Sequence, residues 1–216
     1  PFHGLEALGN FRNLCLGLSL LFLARTLAAL FFVNRLDHVA LVEKSKKYVV
    51  YNGIPFVIFF LIFLVRTLLT EGFAVDPGTG MVAMEKMKYL HNFMQMPIVL
   101  VMFLLGVAAV LYGIAGTVFK NDFRKGIWYS GIGTVLTVTM LLLIAGYNHT
   151  AYYPSTYDLQ SSLTIQNSSS SELTLRVMFY VSLLVPIVIG YIAYAWRLLE
   201  KKRLSIEDLK ADEHAY

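Results

Sequence analysis

A single cysteine, a charged fraction of only 15% and the absence of histidine from every long apolar run set the first limits on this 216-residue chain. Cys15 has no partner, so an internal disulfide and any cysteine-based zinc or iron–sulfur site are excluded. Within an apolar run it reads as a small buried hydrophobe. So few charges among 57% hydrophobic residues, with a mean hydropathy of +0.62, exclude an ordinary soluble domain. His3, His38, His91, His149 and His214 all fall in loops or tails, whereas a membrane haem needs axial His or Met at depth. Met96 and Met102 lie in an apolar stretch, where methionine is usually packing. Neither zinc spacing, a P-loop, a dinucleotide-binding glycine set nor a nucleophile elbow occurs.

What is present is long apolar runs. Five spans are expected, at about 12–33, 48–69, 93–119, 126–147 and 173–199, each near the roughly 20 residues that cross a hydrocarbon core of about 30 Å. The connections 70–92 and 148–172 are read as external loops and 200–216 as a cytoplasmic tail. The chain begins at Pro1 with neither Met nor a signal-peptide pattern, and is expected to be the C-terminal part of a longer protein forming one membrane domain.

Basic residues decide orientation. Arg35, Lys44, Lys46, Lys47, Lys120, Arg124, Lys125, Arg197, Lys201, Lys202, Arg203 and Lys210 fall on one side; Arg12, Lys86, Lys88 and Arg176 fall on the other. The positive-inside rule then places the C-terminus in the cytoplasm and the N-terminal end outside. The net charge of +4 thus reports topology and not nucleic-acid binding.

Two cations remain, both within spans. Arg25 lies near the middle of the first, where a guanidinium in lipid costs at least a few kcal/mol and should face protein, water or a carboxylate. No Asp or Glu of this chain sits at that depth, so its partner is a missing segment, another subunit or backbone carbonyls. Arg66 is about one turn from the surface, where its side chain can snorkel. These two are the candidate buried charges or subunit contacts; no catalytic, cofactor-binding or metal-ligating residue is assigned.

Gly106, Gly113 and Gly116 in the third span and Gly126, Gly131 and Gly133 in the fourth predict a tight hairpin over the Asn121-Asp122 turn. Asp76-Pro77-Gly78-Thr79-Gly80 is a turn signal, and Met81 to His91 suits a short amphipathic helix. The stretch from Asn148 to Ser171 holds no Lys or Arg and suits a compact ordered cap. Its two glycosylation sequons, at Asn148 and Asn167, are short enough to be chance. Ser169 and Glu172 fit a capping box opening the fifth span, with Pro186 inside that span.

Within this last region the chain resembles the C-terminal portion of subunit II of cytochrome bd-type quinol oxidases. The resemblance rests on Tyr153-Pro154-Ser155-Thr156, Ser162-Leu163-Thr164, Leu173-Thr174-Leu175, Leu184-Val185-Pro186-Ile187 and Tyr194-Ala195-Trp196, with Ser205-Ile206-Glu207-Asp208 and the closing His214-Ala215-Tyr216. It implies an all-α polytopic membrane protein of eight helices in two four-helix bundles. This chain would then hold the last helix of the first bundle and an antiparallel four-helix bundle formed by the rest. It further implies a haem-free subunit of the bacterial inner membrane beside a subunit I that carries haems b and d. That complex oxidises quinol and reduces dioxygen to water in the respiratory chain. Family members of this kind help line a proton route, and some hold a structural quinone. The acidic residues of that route belong mainly to the half this sequence lacks. Half of a secondary transporter, hinted at by Arg25, Pro55 and Pro186, and a plain assembly subunit stay open as alternatives.

Overall fold

A computed structural model describes residues 9–199 apart from positions 121 and 156. The expected cytoplasmic tail 200–216, with Lys201, Lys202, Arg203, Lys210 and His214, lies outside the described residues, as do His3 and Asn121.

Five helical stretches among the described residues are long and apolar enough to cross a membrane. They are α1 (Phe11–Arg35), α2 (Val39–Leu69), α4 (Pro97–Phe119), α5 (Gly126–Gly146) and a broken span made of α7 (Glu172–Ser182) and α8 (Val185–Leu199). Between α2 and α4 stand a hairpin, β1 (Gly72–Val75) with β2 (Val82–Glu85), and a short helix α3 (Lys88–Gln95). The single turn α6 (Ile165–Ser168) precedes the last span.

Two boundaries differ from the hydropathy reading, each for a visible reason. α2 begins at Val39, so Lys44, Lys46 and Lys47 are helical and not in a loop. At 1.5 Å per residue its 31 residues reach about 46 Å, so the basic first turns project beyond a core of about 30 Å. The His38 ring starts it, Nδ1 accepting the Leu41 N–H. The third span opens at Pro97, because proline suits the first helical turn and Met96 before it takes a non-helical backbone. Phe93 therefore belongs to α3, and the expected helix within Met81 to His91 is divided between β2 and α3.

Helices α1, α2, α4 and α5 form the four-helix bundle, built from two hairpins, α1 with α2 and α4 with α5. The resemblance grouped the last four spans instead; the packed set is the first four, and no residue of α7 or α8 is buried. On α1 the buried face is Cys15, Ser19, Leu23, Thr26, Leu30 and Val33, spaced by three and four residues. This is the seam pattern of near-parallel helix packing. Leu23, Phe56 and Val110 join α1, α2 and α4 at the centre. Leu30 and Val49 pack with Ile114, Val118 and Ile127 toward one end.

The α4–α5 seam is backbone against backbone. A Cβ on Gly113 would come within 2.6 Å of the Gly126 carbonyl oxygen, and one on Gly133 within 2.6 Å of the Gly106 oxygen. Ser130 Oγ donates across the seam to the Val110 carbonyl at 3.2 Å. Gly116 makes room for the Phe123 ring, while Gly131 faces open space and plays no part in the hairpin.

Pro55 and Pro186 act differently. α2 runs unbroken through Pro55 because α1 packs along its length. The last span has no such support and breaks at Leu183-Leu184, where tighter bonds to Tyr180 and Val181 replace the helical pattern just before Pro186. Its N-cap is Ser171, whose hydroxyl accepts from the Thr174 N–H, and not Ser169 as the capping-box spacing suggested. The capping box lies one helix earlier, Thr164 with Asn167.

Candidate functional site

Arg25 is exposed on the outer face of α1, and among the described residues it has no hydrogen-bond or ion-pair partner. Leu21, Ala24, Ala28 and Phe32 share that exposed face. The guanidinium therefore projects away from a bundle whose own seam is closed. Arg66 is exposed in the last turn of α2, its guanidinium 5.8 Å from the centroid of the Phe11 ring, which ties the end of α2 to the start of α1. The structure does not bring Arg25 and Arg66 together.

At the end of the bundle holding Arg66, the loops form a hydrogen-bonded cap. Asn92, fully buried on α3, donates to the Ile144 carbonyl at 2.7 Å and to Thr150 Oγ1 at 2.8 Å, and accepts from Asn148 at 3.1 Å. One side chain thus joins α3, the end of α5 and the following loop. Residues 149–151 lie beside β1 through an isolated bridge at Thr150, Val75 N–H donating to the His149 carbonyl and Ala151 N–H to the Phe73 carbonyl. Gln160 pairs with both backbone groups of Val82. Buried Ser162 accepts from the Ser155 N–H and Thr164 caps α6, so the Pro-Ser and Ser-Leu-Thr pieces are the pins of this loop. The sequon amides of Asn148 and Asn167 are both engaged, with Asn92 and with the Ser162 carbonyl.

Glu85, Lys88 and His91 cluster on the same cap. The Glu85 carboxylate lies 2.6 Å from His91 Nδ1 and 3.4 Å from Lys88 Nζ. The His91 hydrogen bond above all, with help from the Lys88 charge, holds this carboxyl below its ordinary pKa against the opposing effect of burial. In the hairpin turn, the Gly78 backbone N–H and the Thr79 hydroxyl hold Asp76 below its ordinary value as well. Burial pushes the Tyr89 hydroxyl up. Sequence reasoning had no signal for this cluster beyond loop placement, because β2 had to turn into α3 before the three side chains could meet.

The opposite end is basic. Arg124 donates to the Leu36 carbonyl and reaches Asp37 at 3.4 Å, Lys46 donates to the Lys120 carbonyl, and Arg35 donates to the Leu199 carbonyl. That last bond pins the end of α8 to the bundle. Above it, α8 stands off from α5 and leaves an open apolar groove of about 1360 Å³, floored by Ile132 and Leu136, with Trp128, Trp196 and Arg197 at its basic end.

The three described histidines lie at a helix end or in the cap. His38 Nδ1 caps α2, His91 Nδ1 pairs with Glu85, and His149 sits in a loop with positive φ. Among the described residues no group of three or more His, Cys, Asp or Glu converges as a metal site.

The cytochrome bd terminal oxidase subunit II family model matches residues 2–199. The cytochrome bd-I ubiquinol oxidase subunit 2 proteins of Escherichia coli strain K12 and of Escherichia coli O157:H7 are similar to the chain, each 30% identical over 156 residues. That alignment takes in 71% of this chain and 39% of each relative, so the chain spans well under half their length. With five apolar spans, a helical bundle and a family model that matches nearly its whole length, the chain belongs to the cytochrome bd terminal oxidase subunit II family and is a multi-pass bacterial membrane protein.

Proposed function

We propose that this chain is part of the haem-free second subunit of a quinol:oxygen oxidoreductase. In that role it supports a partner subunit I that binds haems b and d, oxidises quinol and reduces dioxygen to water. The observation that carries the reading is the family match over residues 2–199. Its companion in the structure is the placement of every described histidine at a helix end or in the cap.

Arg25 fits the role of a subunit or segment contact. A guanidinium at mid-depth on an outward face is expensive in lipid, and a carboxylate from an adjoining membrane helix removes that cost. Ala24 and Ala28 beside it let such a helix come close. The basic end, with Arg35, Lys46, Lys120 and Arg124, faces the cytoplasm in this reading, and the cap faces outward. The chain is scaffold for subunit I; a water-lined proton path or a bound structural quinone belongs to the same proposal. Its surroundings are membrane lipid and the quinone pool, with no nucleic-acid partner.

The test is co-purification with subunit I followed by an absorbance spectrum. The complex should show haem bands and quinol-dependent oxygen consumption, and this chain alone should show no Soret band. A haem-bearing isolated chain would overturn the haem-free role, and failure to co-purify would overturn the partnership.

A further inference from the structure

We propose that the groove between α5 and α8 binds an anionic two-chain phospholipid, with its phosphate at Arg197 and its acyl chains along α5. The first observation is chemical. The groove is apolar along its length and carries one cation, Arg197, at the end that Trp128 and Trp196 also line. Tryptophan beside a cation marks the depth of lipid headgroups, where an aromatic ring sits at the interface and a guanidinium meets phosphate. Among the described residues Arg197 has no hydrogen-bond or ion-pair partner.

The second observation is dimensional. On α5 the lining runs from Ile127 to Thr139, about 18 Å of helix at 1.5 Å per residue. This is close to one leaflet's share, about 15 Å, of a hydrocarbon core. A volume of about 1360 Å³ exceeds the range of roughly 300–1,000 Å³ typical of small-molecule sites. Gly131 and Gly190 both line the groove, and a Cβ on either would meet nothing within 4 Å, so the space is unfilled by this chain. The third observation is positional: Arg35, bonded to the Leu199 carbonyl, holds the end of α8 at the bundle and keeps the groove mouth beside the basic cluster. A neutral quinone head would leave the Arg197 charge unanswered, which favours the phospholipid.

The experiment uses the full complex containing this chain. It is washed in mild detergent, retained lipid is identified by mass spectrometry, and phosphatidylglycerol or phosphatidylethanolamine is added back in separate samples. The expected result is preferential retention of phosphatidylglycerol, with about a five-fold loss in R197Q, the scale of one cation at a membrane surface, and retention kept in R197K. Gly131→Leu, which projects into the groove, should lower retention of both lipids. Equal retention of the two lipids by the wild-type complex overturns the proposal, as does recovery of a quinone alone or an R197Q complex that retains phosphatidylglycerol unchanged. If R197Q fails to assemble, the comparison of the two lipids on the wild-type complex decides. This outcome is independent of the haem spectrum that tests the subunit assignment.

Discussion

Asn92 shows how a single polar side chain orders a membrane protein's loops. It is fully buried, donates twice and accepts once, so replacing it strands a carbonyl and a hydroxyl that it satisfies. Asn92→Leu should lower stability by about 1–3 kcal/mol, the cost of buried groups left unpaired, read as a lower unfolding midpoint in detergent. Glu85 gives a pH signature on the same cap. Its carboxyl is held below the ordinary value, so the stabilisation is fully present above pH 4.5 and is lost as pH falls through the depressed value. Midpoints measured across that range should fall on acidification in the wild type and fall less in Glu85→Gln. Neither residue was legible as a unit in the sequence. Asn92 lies more than fifty positions before Asn148 and Thr150, and only the return of the loop after α5 brings them together.

At the scale of elements, the α4–α5 hairpin was readable because close backbone packing needs glycine, and glycine is visible in a sequence. Its residue-level detail was not: Gly131 lies on the same helix as Gly126 and Gly133 but one face round, opening on the groove. Gly133→Leu should therefore separate the helices and cost about 1–3 kcal/mol or more through overpacking, while Gly131→Ala, with open space around it and better helix propensity, should hold or raise the midpoint. Thermal unfolding of the two variants side by side checks this. The two prolines were equally visible, yet the sequence could not rank them. Whether a proline breaks a membrane helix depends on a neighbour that holds the freed groups in place, and α1 is that neighbour for Pro55. The last span has none, so Pro186→Ala should let α7 and α8 join, detectable as a gain in helical circular dichroism of about one turn.

For the whole molecule, the outward Arg25 is the residue on which the proposed contact with an adjoining helix turns. Arg25→Leu removes the outward charge and, with it, the proposed pairing. In the proposed reading it should leave the α4–α5 hairpin intact and weaken co-purification with the adjoining subunit or segment, with Arg25→Lys retaining part of it. Unchanged assembly in Arg25→Leu would show that this face meets lipid. Membership of the oxidase family displaces the transporter alternative for which Arg25, Pro55 and Pro186 were hints.

Long apolar runs, sparse charge and clustered basic residues determined by themselves that the chain crosses a membrane through helices, because backbone amides in hydrocarbon must be paired within their own segment. Glycine spacing determined that α4 and α5 pack backbone against backbone. Tertiary structure alone decided which four helices pack, since spans that are apolar on every side carry little information about the face they bury. It alone also decided that α8 stands away from α5, and that the cap closes on Asn92, since both depend on contacts between residues more than fifty positions apart.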